Sequence, residues 1–182
     1  MVIFVMGGSA SGKSEYAEQL AVNLKEEAER NTGEVKPKLV YAATMEPVDS
    51  ESCKRISRHR AMRAGKQFET REQYTHLEEL AADRNEILLL ECLSNLMANE
   101  MFSPGGREEQ AAEEVQKGIV HLAERCLHLV IVGNNVFEDG MAYEAETLNY
   151  LRETAKVHQF LGTYADQVVE VICGIPVEWR KP

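Results

Sequence analysis

Residues 6–14 read Met6-Gly7-Gly8-Ser9-Ala10-Ser11-Gly12-Lys13-Ser14, and the last eight of them match the pattern G-x-x-x-x-G-K-S. Glycines at this spacing let the backbone curl so that successive N–H groups point toward a bound phosphate. An apolar run at 2–6 precedes the motif and helix-forming residues follow it, so a helix dipole would add its positive end. The stretch therefore predicts a phosphate-binding loop between a strand and a helix.

The residues of this loop have separate predicted roles in holding a nucleoside triphosphate. Lys13 is expected to reach the β- and γ-phosphates, and the Ser14 hydroxyl is expected to ligate Mg²⁺. The remaining contacts are expected from the backbone of Gly7, Gly8, Ser9, Ala10, Ser11 and Gly12. The alternative, a plain Gly/Ser turn, is weaker because the strand and the helix stand where nucleotide binding requires them.

Composition and charge limit the other possible functions. The chain has 182 residues, 44% hydrophobic and 27% charged, which predicts one nucleotide-binding domain over 1–182. A formal net charge of −10 argues against general nucleic-acid binding, which usually requires a basic surplus. The first apolar run is too short for a secretion signal or a membrane span, and the four cysteines are widely spaced without a C-x-x-C pair. These features favour a cytoplasmic protein with reduced thiols and no zinc site.

A basic segment follows the strand that the sequence predicts at 38–44. It holds six of the chain's twenty lysines and arginines: Lys54, Arg55, Arg58, Arg60, Arg63 and Lys66. On a helix, Arg55, His59 and Arg63 share one face, where like charges repel one another unless an anion binds there. The segment is therefore either a solvated basic face or a phosphate-binding surface. His59 is an incidental surface histidine, a general base, or a nucleophile flanked by phosphate-binding arginines.

Glu91 ends the third predicted strand, after the apolar run at 87–90. A carboxylate at the end of a buried strand is costly unless it has a partner. Beside a phosphate loop, that partner is predicted to be hydrated Mg²⁺, held by Glu91 together with Ser14. The alternative is a structural carboxylate paired with a local arginine or a helix end.

Strands and helices alternate along the chain, which predicts an α/β fold with a mostly parallel sheet and helices on both faces. Ligands bind beyond the carboxyl ends of such strands, so the phosphate loop, Thr44, Glu91 and Asn134 are expected along one rim. The pattern also predicts an edge strand or extended link at 68–72, a short helix at 74–83 and a long helix at 107–126. A short antiparallel strand is predicted at 175–179.

The full chain resembles one family, the bifunctional adenosylcobinamide kinases and adenosylcobinamide-phosphate guanylyltransferases of cobalamin synthesis. The resemblance rests on the loop at 7–14, on Tyr41-Ala42-Ala43-Thr44, and on the pattern R-I-x-x-H-x-x-R from position 55 to position 63. Further matches are Thr70-x-Glu72, Leu89-Leu90-Glu91-Cys92-Leu93, Ala165-Asp166-Gln167-Val168 and Gly174-Ile175-Pro176. The histidine-containing pattern is the specific part, because very many families share the loop.

The resemblance implies a RecA-like P-loop NTPase that phosphorylates a corrinoid hydroxyl with ATP or GTP. It also implies transfer of GMP from GTP through a covalent guanylyl-histidine, for which His59 is the matching residue. The basic-helix pattern puts Arg55 beside Arg63 as a phosphate clamp. Positions matching the family's nucleotide contacts include Ala43, Thr44, Met45, Arg60, Arg63, Glu72 and Glu91. Family members assemble as trimers, which predicts a homo-oligomer here.

Two segments depart from the family pattern. After the fourth strand the family has Asn-Glu-Val, whereas this chain reads Asn134-Asn135-Val136 and continues with a different loop to position 141. Farther on, His158-Gln159 stands where Asn-Gln is usual. These departures leave two alternatives open. One is a single-activity P-loop kinase acting on cobinamide or another small alcohol. The other is a catalytically impaired GTP-binding regulatory homologue.

Overall fold

A seven-stranded sheet forms the centre of the protein, seen in a computed structural model that describes residues 1–32, 36–138 and 140–181. The strands are β1 (Val2–Gly7), β2 (Lys38–Ala43), β3 (Phe68–Glu72), β4 (Glu86–Glu91), β5 (His128–Asn134), β6 (Gln167–Ile172) and β7 (Ile175–Arg180). Their order across the sheet is β3-β2-β4-β5-β1-β6-β7, and each neighbouring pair is parallel except β6 and β7. The predicted mostly parallel α/β sheet is therefore confirmed.

Within the described residues, five α-helices connect and cover these strands. They are α1 (Lys13–Thr32), α2 (Ser50–Arg63), α3 (Leu93–Phe102), α4 (Ala111–Ala123) and α5 (Ala145–Tyr164). Alternate residues of β1 enter two different cores. Ile3 and Val5 pack on the α1 side, whereas Phe4 packs with residues of α3, α4 and α5. Helices therefore cover both faces of the sheet, and its apolar strands are buried between them.

Both predictions for the ends of the sheet agree with the structure. The segment at 68–72 is the edge strand β3, which pairs parallel with β2, and β7 pairs antiparallel with β6. Asp49 is the N-cap of α2, since its carboxylate accepts a hydrogen bond from the Ser52 backbone N–H.

The predicted helix at 74–83 is wrong, because only Leu77–Glu79 form one 3₁₀ turn there. Leu77 and Leu80 are buried, and this short turn packs closely on α4. The Glu100 carboxylate accepts a hydrogen bond from the His76 backbone N–H, just before the turn. Tertiary contacts thus hold this segment in a form that local propensity does not specify.

The predicted helix at 107–126 is shorter in the structure and begins with a separate 3₁₀ turn at Glu108–Gln110. Glu108 has a φ of 50°, a left-handed conformation that an α-helix cannot contain. Helix α4 then runs from Ala111 to Ala123. Across the described ranges, none of the helices has both the length and the apolar composition needed to cross a bilayer.

Candidate active site

The phosphate loop joins β1 to α1, and two of its positions require glycine. A Cβ on Gly7 would lie 2.5 Å from the carbonyl oxygen of Val171 in β6, so a larger residue would push the strands apart. Gly12 has a φ of +91°, which glycine adopts without strain. The Gly174 N–H donates to the Ser11 carbonyl at 2.8 Å, so the turn between β6 and β7 braces the loop.

Lys13, Ser14 and Glu91 meet where β4 ends beside the start of α1. The Lys13 ammonium donates to the Gly8 carbonyl at 3.0 Å, and this lysine is 8% exposed. Burial is the main cause that lowers the pKa of Lys13, while the negative charge of Glu91 opposes it. The Ser14 hydroxyl donates to Glu91 Oε1. Glu91 Oε2 is buried and has no hydrogen-bond partner among the described residues, so the carboxylate retains an oxygen for a ligand.

Helix α2 brings the basic segment to this carboxylate. His59 Nδ1 lies 3.7 Å from Glu91 Oε1, in a side chain that is 25% exposed. Arg63 is 6% exposed, and its guanidinium carbon lies 3.3 Å from the centre of the Tyr41 ring, a cation–π contact. Arg55, the third member of the predicted helix face, is exposed and lines the cavity between α2 and the phosphate loop.

A cavity of about 970 Å³ lies between the phosphate loop, the strand ends and α2. It is large enough for a nucleotide. Most of the predicted site residues line it: Ser9, Ala10, Gly12, Lys13, Ser14, Ala43, Met45, Arg55, His59, Arg60, Arg63, Glu72 and Glu91. Asn134 and Asn135 also line it, so the start of the divergent loop belongs to the same space.

Four predicted residues do not line the cavity: Gly7, Gly8, Ser11 and Thr44. Thr44 is fully buried, and its hydroxyl both accepts from the Cys92 N–H at 2.8 Å and donates to the Cys92 carbonyl at 2.9 Å. Its side chain therefore joins the end of β2 to the end of β4.

Residues that the sequence analysis did not single out also contribute to the site. Tyr41 supports Arg63 from β2, and Tyr74 lines the cavity while donating to Glu72 Oε2 at 2.9 Å. Glu18 lies one turn after Ser14 on α1 and is fully buried. Helical spacing from Ser14 was a signal that could have identified Glu18, because residues four apart share a face.

The divergent segments meet at His158. The His158 ring lies edge-on to Phe4 and to Phe137, with centroid distances of 5.1 and 5.2 Å. Burial lowers the pKa of His158 from its ordinary value of 6.5 to about 4. The histidine is therefore a half-buried, neutral residue that contacts Phe137 near the start of the divergent loop.

Replacing His158 with Phe is expected to reduce the loss of stability in acid. Between pH 6.5 and about 4, His158 is protonated in the unfolded chain but not in the folded chain. The free energy of unfolding therefore decreases as the pH is lowered through this range. The difference amounts to about 2 kcal/mol at pH 5. Urea unfolding of both proteins at pH 7.5 and 5.0 measures it, because the other titrating groups cancel. A stability difference that stays the same at both pH values would contradict this assignment.

The chain is similar to known proteins along nearly its whole length. A family model described as cobinamide kinase / cobinamide phosphate guanyltransferase matches residues 3–179. The chain is 30% identical to the bifunctional adenosylcobalamin biosynthesis protein CobU of Escherichia coli strain K12, over 98% of this chain and 99% of that protein. The protein of the same name from Salmonella typhimurium strain LT2 gives the same identity and coverage. CobP of Pseudomonas aeruginosa is 25% identical over 95% of this chain and 94% of its own length. Among solved structures, one ATPase domain matches 93% of this chain and 68% of its own, with a TM-score of 0.48 and 10% identity.

Proposed function

The chain belongs to the cobinamide kinase / cobinamide phosphate guanyltransferase family of transferases, and we propose that both reactions use the cavity beneath α2, with His59 as the guanylyl acceptor. The observation that carries the proposal is the position of His59. Its Nδ1 lies 3.7 Å from Glu91, the residue that also accepts the Ser14 hydrogen bond at the phosphate loop. An imidazole and a triphosphate-binding loop thus share one space.

In the transfer reaction, a nitrogen of His59 attacks the α-phosphorus of GTP. A P–N bond forms, the bond from the α-phosphorus to the bridging oxygen breaks, and pyrophosphate leaves. The phosphate oxygen of cobinamide phosphate then displaces the histidine, which releases the GMP-linked product. Nδ1 faces the buried carboxylates, so Nε2 is the nitrogen that we expect to react. Arg55 and Arg63 line the cavity as cations that would stabilise the phosphates.

In the kinase reaction, Lys13 and the loop backbone hold the triphosphate while the corrinoid hydroxyl oxygen attacks the γ-phosphorus. The bond from the γ-phosphorus to the bridging oxygen breaks, the nucleoside diphosphate leaves, and the hydroxyl proton is released. The residues present suit Mg²⁺, because the Ser14 hydroxyl and the Glu91 carboxylate are adjacent oxygen ligands and Glu91 Oε2 has no hydrogen-bond partner in the described residues. Mg²⁺ held by Ser14 and Glu91 would neutralise negative charge on the triphosphate. Both ATP and GTP are proposed as phosphate donors.

Incubating the protein with α-labelled GTP and Mg²⁺ tests the proposal. We expect a labelled protein adduct that is stable in alkali and labile in acid, as a phosphorus–nitrogen bond to histidine is. Peptide mapping should place the label on His59. An unlabelled protein that still phosphorylates cobinamide would leave the single-activity kinase as the function. Tight GTP binding without turnover of any corrinoid would instead favour the regulatory homologue.

We also propose that residues 1–182 form one domain of a cytoplasmic homo-oligomer. The family model matches nearly the whole chain, and one sheet contains every strand of the described residues. Large apolar side chains are exposed at the edge formed by β6 and β7, including Ile172, Ile175 and Trp179 at 49%, 66% and 67%. An exposed apolar sheet edge is a common place for a second copy to bind.

A further inference from the structure

Helix α2 has few contacts that fix it on the protein. Among its fourteen residues, all of them described, only Arg63 is buried. The helix therefore lacks the apolar stripe that usually fixes a helix to a core. The ion pair between Arg60 of α2 and Glu72, at 3.2 Å, has two exposed side chains, and exposed ion pairs contribute little to stability. Besides the contact between His59 and Glu91, the contacts that can fix this helix therefore lie at its C-terminal end, where Arg63 is buried.

A second ion pair, just beyond the C-terminal end of α2, is much less exposed than the first. Lys66 Nζ donates to Glu18 Oε2 at 2.6 Å, and the Lys66 backbone N–H donates to the Arg63 carbonyl at 2.8 Å. Glu18 is 0% exposed and Lys66 is 23% exposed. Because Glu18 belongs to α1, this pair connects the end of α2 directly to the helix that begins in the phosphate loop.

The surroundings of Glu18 differ from those of an ordinary structural carboxylate. Its Oε1 is buried and has no hydrogen-bond partner anywhere in the described part of the chain. One of its oxygens, a His59 ring nitrogen and a Glu91 oxygen all lie within 4.8 Å of one another. Burial of the Glu18 carboxylate near the Glu91 carboxylate costs free energy, so stability alone does not account for a glutamate at this position. Lys66 already occupies the other oxygen of Glu18, so an ammonium group rather than a metal ion compensates its charge.

We propose that Glu18 is a positioning residue for guanylyl transfer: through Lys66 it fixes the end of α2 and thereby holds His59 over the phosphate loop. The inference rests on the proposed role of His59 and adds the group that sets its position. Glu18 touches no reacting atom. Its loss should slow the step that needs the histidine, whereas triphosphate binding depends on Lys13 and the loop. Misplacement of a reacting group by about 1 Å can cost on the order of 100-fold in rate.

Three variants test this: Glu18→Gln, Lys66→Met and the double variant. In single-turnover labelling at saturating GTP, we expect each single variant to form the His59 adduct about 10- to 100-fold more slowly. The rate of the double variant should be at most about 3-fold below that of the slower single variant, because both substitutions remove the same interaction. The Kd for GTP and the cobinamide phosphorylation rate should change by less than about 3-fold, a split that general destabilisation would not produce. Lys66→Arg should restore most of the rate. Lys117→Met, which removes an exposed lysine paired on α4, is the matched control.

Amide hydrogen exchange supplies a readout that does not require the adduct. Glu18→Gln should speed exchange at 56–66 and leave β1 and β4 unchanged. If the wild-type protein forms no adduct, the role of His59 fails, and the exchange pattern alone then decides whether Glu18 fixes α2. Adduct formation at the wild-type rate in Glu18→Gln would overturn the inference. So would unchanged exchange at 56–66, or an equal loss of both activities with lowered stability.

Discussion

Replacing His59 with Ala is expected to abolish the labelled adduct and to lower GMP transfer by at least about 1,000-fold, because no other group would supply the nucleophile. Cobinamide phosphorylation should persist, since Lys13, Ser14 and Glu91 all remain. The two rates are measured on the same preparation, with α-labelled GTP for transfer and γ-labelled GTP for phosphorylation. This separation of activities is the largest single effect expected from a side chain outside the phosphate loop.

His121→Ala is the matched control for that change. His121 lies on α4, outside the lining of the cavity, so its removal should leave the adduct intact. If His59→Ala still forms an acid-labile adduct, another side chain accepts GMP, and the contact between His59 and Glu91 has a different purpose. Loss of both activities in His59→Ala would show that the histidine also serves the kinase reaction.

Replacing Lys13 with Met is expected to reduce both activities by about 1,000-fold or more. The Lys13 ammonium is the buried cation of the loop, and the developing charge on the β- and γ-phosphates has no equal partner without it. A methionine keeps the length and apolar stem of the side chain, so the change removes mainly the charge and its hydrogen bond to Gly8. Steady-state rates of phosphorylation and transfer measure the effect.

Lys25→Met provides the comparison on the same helix. Lys25 pairs with Glu29 at 2.8 Å on the outer part of α1, so its loss should change neither rate. Circular dichroism confirms that each variant is folded. A Lys13→Met protein that loses phosphorylation but retains GMP transfer would show that the two reactions use different triphosphate positions, against the proposal of one shared cavity.

The sequence predicted the sheet well because the signals that form it are local. Apolar runs such as the one at 87–90 mark strands buried on both sides, and the helices between them require parallel neighbours. Glu91 was identified for the same reason, as a charge at the end of such a run. The short helix expected at 74–83 failed because burial of Leu77 against α4 is a contact between distant parts of the chain.

The sequence indicated residues that line the candidate site where one residue type suits one chemistry, and it was less informative where residues support each other; the roles of these residues stay predictions. Lys13 and His59 carry recognisable spacing. Tyr41 was not identified because its role depends on the guanidinium that stacks on it from α2. Glu18 and Lys66 are separated by 48 positions, and each is common on a helix surface, so their pairing appears only after folding. Thr44 was expected at the nucleotide but is hydrogen-bonded to Cys92.

One oxygen of Glu91 contacts both Ser14 and His59, for which we propose roles in different reactions. Oε1 accepts a hydrogen bond from the Ser14 hydroxyl of the phosphate loop and lies 3.7 Å from His59 Nδ1. In the proposed mechanism, the carboxylate that helps to hold the triphosphate for phosphorylation therefore also contacts the histidine that would accept GMP. On that mechanism, we expect each molecule to alternate between phosphorylating an alcohol and loading its histidine with GMP, so abundant corrinoid alcohol would slow the loading of the histidine.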